Sequence, residues 1–293
     1  MISRLFACLL IGLSSLAAHA VPLPEGRSEL DLLVNQVPLQ VYAYKPAGYR
    51  NGPLLVSFHG LSRQIDTYMK AAQPLADRHG LLLVMPLFDR ERFPYWRYQA
   101  LGITRVSRNV LEGQITVEPE AQWTSMLVEG VIRHLREREG QPLEYLLLGH
   151  SAGGQIVNRM AAFAPGKAKR YVVTNPSSWV LPDTRERFPY GFGDLPAAMR
   201  NESQLKRYLA QPLTVFLGTG DILDKDLDMR PAGMAQGRTR HARGLNAFHA
   251  AERVARERGW TFNWTLVEVP GVGHNSTGMY GSTQASQALG LAH

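Results

Sequence analysis

Tyr145-Leu146-Leu147-Leu148-Gly149-His150-Ser151-Ala152-Gly153-Gly154 runs from an uninterrupted apolar stretch straight into a Gly-x-Ser-x-Gly pattern. A buried strand that ends this way and turns at once into a helix has the form of a nucleophile elbow. The turn is sharp enough to hold the serine at strained backbone angles with its hydroxyl projecting above the sheet edge. Small residues at 149 and 153 keep Cβ atoms out of the crowded turn. The pattern alone is weak in a chain with 27 glycines, and Ser151 also suits an ordinary helix N-cap. Its context decides.

Working outward, short apolar runs alternate with amphipathic segments. Leu54–Phe58, Leu81–Leu87, Tyr145–Leu148, Tyr171–Thr174, Leu213–Leu217 and Phe262–Val269 read as strands. Asp66–His79, Ala121–Arg138, Ala152–Ala164 and Ala242–Arg258 read as helices, the first two closed by Gly80 and Gly140. Near-continuous apolar strands separated by helices predict an α/β fold with a mostly parallel central sheet, covered on both faces. Leu30–Tyr44 reads instead as a leading antiparallel hairpin turned at Asn35-Gln36.

Three excursions interrupt the rhythm, at about 88–120, 176–211 and 221–240, each following a predicted strand. Ligands of open α/β sheets bind beyond the carboxyl ends of the strands, so these segments are expected to wall a site. The hexapeptide Arg90-Glu91-Arg92-Phe93-Pro94-Tyr95 recurs as Arg185-Glu186-Arg187-Phe188-Pro189-Tyr190, once in each of the first two excursions. The repeat extends no further, which excludes a solenoid. Facing aromatic walls of one cleft are the reading offered for it.

The first twenty residues stand apart. Arg4, an apolar stretch from Leu5 to Leu16, and Ala18-His19-Ala20 form an export leader with cleavage expected after Ala20. The apolar stretch is shorter than the ~20 residues that span a bilayer, so no stable membrane insertion is expected. Residues 21–293 are expected to form one domain in the periplasm or outside the cell. Cys8 is the only cysteine, so disulfide and thiol chemistry are excluded for the mature chain. The formal charge is +7, with basic clusters at Lys167–Arg170 and Arg238–Arg243. No aromatic residues interleave with them, so they read as solvated helix ends and loops, and no nucleic-acid partner is expected.

A serine hydroxyl needs a base within hydrogen-bond reach, and the base needs a carboxylate to fix its tautomer. Gly218-Thr219-Gly220-Asp221 places an acid after one late strand, and Val269-Pro270-Gly271-Val272-Gly273-His274 places a histidine after the last. Asp224 competes with Asp221 for the acid role. Asp224, Asp226 and Asp228 have the spacing of a calcium loop but lack its glycine and distal glutamate, so no metal is expected. No cofactor is expected either.

The order Ser151, Asp221, His274 resembles that of the α/β-hydrolase superfamily, and the likeness spans nearly all of residues 21–293. Phe58-His59-Gly60-Leu61 looks like the superfamily's oxyanion turn, which implies that the backbone N–H groups of Leu61 and Ala152 bind a developing oxyanion. Within the superfamily the chain is most similar to the secreted poly(hydroxyalkanoate) depolymerase and feruloyl-esterase-like group, on the leader, His59-Gly60, the elbow and the closing Val-Pro-Gly-Val-Gly-His. The resemblance implies an exported serine carboxylesterase acting on a small or polymeric ester. A peptidase or amidase of the same fold and a non-catalytic envelope protein are the alternatives. His59, Arg92, Trp96, Arg97, Trp179, Arg185 and Tyr190 are the candidates for substrate contact; the oligomeric state is left open.

Overall fold

The computed structural model describes residues 21–105 and 115–291, so the expected leader lies outside it. The chain enters through β1 (Gly26–Val34) and β2 (Val37–Lys45), an antiparallel hairpin. Its turn is Asn35-Gln36, with φ of 49° and 64°. Positive φ at both turn residues matches the right-handed twist of a tight hairpin. After it come β3 (Leu54–Phe58), β4 (Leu82–Pro86), β5 (Tyr145–His150), β6 (Arg170–Thr174), β7 (Leu213–Gly218) and β8 (Trp264–Val269). They form an eight-stranded sheet in the order β1-β2-β4-β3-β5-β6-β7-β8. β2 pairs antiparallel with β4, and every pairing from β4 through β8 is parallel.

The helices are α1 (Ile65–His79), α2 (Tyr95–Tyr98), α3 (Thr124–Glu139), α4 (Ala152–Phe163), α5 (Glu202–Leu209), α6 (Pro231–Gln236), α7 (Arg240–Arg258), α8 (Ser276–Tyr280) and α9 (Ala285–Leu289). Side chains alternate across the strands with period two. Leu55, Leu83, Leu146, Leu148, Val172 and Phe216 pack with α1, α8 and α9 on one face. Val56, Val84, Leu147, Val173 and Val215 pack with α3, α4 and α7 on the other. Burial on both faces explains why β3, β4, β5 and β7 read as continuous apolar runs rather than alternating ones.

Two readings need correction. The excursion at 176–211 contains α5, whose buried residues are Leu205, Tyr208 and Leu209. Three apolar positions in eight give too short a periodic signal to recognise. The basic cluster at Arg238–Arg243 is not wholly solvated, because Arg240 and Arg243 are fully buried. In α7 the buried positions are Arg240, Arg243, Gly244, Ala247, Ala251 and Ala255, one helical stripe. The two arginines fall in phase with the small residues of the inward face.

Candidate active site

The site is built at the carboxyl ends of β3, β5, β7 and β8. Ser151 connects β5 to α4 with φ of 60° and ψ of −119°, a conformation costly for a residue with a Cβ. Its N–H donates to the Thr174 carbonyl on β6 at 2.9 Å, and its carbonyl accepts from Gln155 N–H at 3.1 Å. Those bonds hold the strained residue between sheet and helix. The turn also requires close backbone approach: a Cβ on Gly149 would strike the Gly153 carbonyl, and one on Gly153 would strike the Phe58 carbonyl. The glycines of the motif thus let α4 sit directly against β3 and β5.

His274 and Asp221 arrive from the next loops. Gly220 N–H donates to the Val272 carbonyl at 2.9 Å, Thr219 N–H to the Val269 carbonyl at 3.0 Å, and Gly271 N–H to Thr219 Oγ1 at 2.8 Å. The β7–β8 ladder therefore continues past the strand ends and fixes the acid loop against the histidine loop. His274 Nδ1 lies 2.7 Å from Asp221 Oδ2, and His274 Nε2 lies 3.0 Å from Ser151 Oγ. With Nδ1–H donating to the carboxylate, Nε2 is left to accept from the serine hydroxyl. Asp221 is buried and Asp224 is exposed, so the structure puts Asp221 against the imidazole.

Asp221 has a second partner that sequence reading missed. Arg240 Nη1 stands 3.5 Å from Asp221 Oδ1, with both side chains buried. The same guanidinium donates to the carbonyls of Leu223 and Lys225. One cation thus faces the carboxylate and pins the loop that carries it. The helical phase of α7 was the signal that could have revealed it.

The turn after β3 is held just as firmly. His59 is fully buried, donates from Nδ1 to the Gly60 carbonyl at 3.1 Å, and accepts at Nε2 from Phe88 N–H at 3.1 Å. Burial, reinforced by the nearby Arg63 charge, pushes its pKa down to about 3, so the ring is neutral. Tyr98 stacks on it at 4.8 Å and donates its hydroxyl to the His59 carbonyl at 2.7 Å. Arg63 lies over the Tyr98 ring and donates to the carbonyls of Gly60 and Phe93. Leu61 follows in this turn, partly exposed, with Arg90 donating to its carbonyl. Ala152 opens α4, where a first-turn N–H has no acceptor inside the helix.

The candidates for substrate contact fare differently. His59, Trp179 and Tyr190 are buried and offer no open surface. His59 pins the turn, while Trp179 packs in the core, its backbone N–H donating to Gln236 Oε1 and its carbonyl accepting from Gln236 Nε2. Tyr190 donates its hydroxyl to Asp228 at 2.7 Å. Trp179 and Tyr190 are apolar enough for the core to take them, which composition of an excursion does not reveal. Trp96 and Arg97 line a cavity of about 410 Å³ with Asn35, Arg105, Gln122 and Trp123, a lining that includes none of Ser151, Asp221 and His274. Arg92 pairs with Asp89 and Arg185 with Asp183 at the surface.

The repeated hexapeptides do meet, though not as open walls. Arg230 lies 5.5 Å from the ring centroids of both Tyr95 and Tyr190, their last residues. Arg230 also donates through Nε and Nη2 to Asp228. One guanidinium thus joins all three excursions.

Among solved structures, LpqC, a poly(3-hydroxybutyrate) depolymerase from Bordetella parapertussis, is 33% identical over 90% of this chain and 90% of its own, with a TM-score of 0.80. The chain belongs to the α/β-hydrolase family. Poly(aspartic acid) hydrolase-1 from Sphingomonas sp. KT-1 is 29% identical, with a TM-score of 0.81, over 91% of this chain and 99% of that one. An IroE-like serine hydrolase from Shewanella oneidensis shares the fold at 12% identity, covering 88% of this chain and 77% of that one, with a TM-score of 0.55. No family model matches the sequence, and no curated protein matches it. Among the described residues no helix is long and apolar enough to cross a membrane.

Proposed function

We propose that this hydrolase is an exported serine esterase that cleaves carboxylic esters through an acyl-enzyme on Ser151. The observation that carries the reading is the unbroken line from Ser151 Oγ to His274 Nε2 at 3.0 Å and from Nδ1 to Asp221 at 2.7 Å. As Ser151 Oγ bonds the ester carbon, its proton passes to His274 Nε2 and the carbonyl electron pair moves onto oxygen. The N–H groups of Leu61 and Ala152 receive that oxyanion, each such donor contributing about 3–4 kcal/mol of transition-state stabilisation. His274 then protonates the leaving alcohol, and water attacks the acyl-enzyme by the reverse sequence. Asp221 holds the imidazole and stabilises its charged form. Likeness to LpqC supports a polyester of hydroxy acids as the substrate.

Likeness to a poly(aspartic acid) hydrolase supports a second reading, amide cleavage by the same residues. Purified protein is expected to release nitrophenol from short acyl esters and to clear a poly(3-hydroxybutyrate) suspension, with Ser151→Ala inactive but folded. Faster turnover of poly(aspartate) than of any ester would replace the first reading by the second. Failure of a fluorophosphonate to label Ser151 would remove both. For export, the protein recovered from the periplasm or medium is expected to begin at Val21 by intact mass; an intact leader would refute cleavage.

A further inference from the structure

His150, the residue between Gly149 and Ser151, has no part in the proton path described above. It is nevertheless placed in direct contact with it. Its ring centroid lies 4.5 Å from that of His274, with 36° between the planes. The ring of Tyr68 on α1 stands 6.2 Å from it as well. The side chain is buried, and neither ring nitrogen has a hydrogen-bond partner among the described residues. An unpartnered buried imidazole costs free energy, which an apolar side chain of similar size would avoid. What the ring does offer here is a flat face against the histidine that receives the serine proton.

We propose that His150 is a positioning residue for His274: its uncharged ring backs the imidazole in register with Ser151 and Asp221 and turns a π face toward the imidazolium formed during acylation. This rests on the proposed reading of Ser151 as nucleophile. The groups around the pair are consistent with an uncharged His150. Asp221 is paired with both His274 and Arg240, while the Tyr68 ring of α1 lies 6.2 Å from that of His150. Burial, together with the charges of His274 and Arg240, pushes the His150 pKa well below the usual range. A cation facing a neutral ring is attracted by its quadrupole, whereas a second cation at this distance would repel it.

The test compares His150→Leu, which removes the flat face, with His150→Phe, which keeps one. Each is measured for thermal midpoint, rate of fluorophosphonate labelling, and pH dependence of kcat on a soluble ester. His150→Leu is expected to slow labelling and kcat roughly three- to thirtyfold with KM within twofold. The acid limb of kcat is expected to move to lower pH, because the protonated imidazole has lost a favourable neighbour. His150→Phe is expected to restore most of the rate and the position of the limb. Wild-type labelling and an unmoved acid limb in His150→Leu would overturn the proposal while leaving Ser151 as nucleophile. Equal impairment of the leucine and phenylalanine variants would overturn the role of the ring face. A wild-type protein that fluorophosphonate does not label would take away the underlying reading, and this proposal with it.

Discussion

Asp221, Asp224 and Arg240 carry separable consequences. Asp221→Asn leaves the shape of the site intact but lets the amide favour the wrong imidazole tautomer, so kcat is expected to fall by about 10³–10⁴. Asp224→Asn, at an exposed position, is expected to change kcat by less than twofold. Parallel kinetics on a soluble ester check the pair, and the reverse order would transfer the acid role to Asp224. Arg240→Ala leaves a buried carboxylate without its cation and frees the carbonyls of Leu223 and Lys225. Breaking a buried pair costs about 3–5 kcal/mol, so denaturant unfolding should show a loss of that order together with a large fall in kcat. Arg240→Lys restores charge without the planar fork and should recover stability only in part. Ser151, Asp221 and His274 were legible in the sequence because each follows the end of a strand in a glycine-containing turn. Arg240 was not, because charge was read as exposure without asking which way the helix turns it.

At the scale of elements, the elbow is the most demanding junction. Gly153→Ala would set a methyl against the Phe58 carbonyl of β3, so α4 has to lift from the sheet and carry Ser151 with it. Lower soluble yield, a lower melting temperature and strongly reduced fluorophosphonate labelling are expected together; an alanine variant that labels at the wild-type rate would show that the contact is dispensable. Strands β3 through β7, the hairpin and the long helices were readable because periodicity and capping glycines agree with the tertiary packing in those segments. α5 and α6 were not: eight and six residues carry too few turns for a pattern, and their order comes from neighbours rather than from propensity. The burial of Trp179 and Tyr190 was hidden for a related reason. An aromatic residue on a loop is read as a contact for ligand until the loop is seen to have a core of its own.

For the molecule as a whole, two buried neutral imidazoles couple stability to acid. The folded pKa of His59 is lowered to about 3 and that of His150 is lowered well below its usual value, both chiefly by burial. An unfolded histidine titrates near 6.5, so their contribution is full above about that pH and declines as the medium acidifies toward 3. Urea midpoints should therefore fall between pH 7.5 and 4.5, and His150→Phe should take away part of that fall. A midpoint that falls as steeply in the variant as in the parent would show that His150 accepts a proton in the folded state. The shared guanidinium of Arg230 has a consequence at this scale too. Tyr95, Tyr190 and Asp228 belong to three different excursions, yet each is positioned by the same side chain. Loops of this kind cannot be exchanged one at a time with those of a relative: a graft of the first without the second and third discards the residue that the others are fitted to. New specificity on this scaffold is reached by transplanting the three loops as a set, or by single changes that leave Tyr95, Tyr190, Asp228 and Arg230 in place.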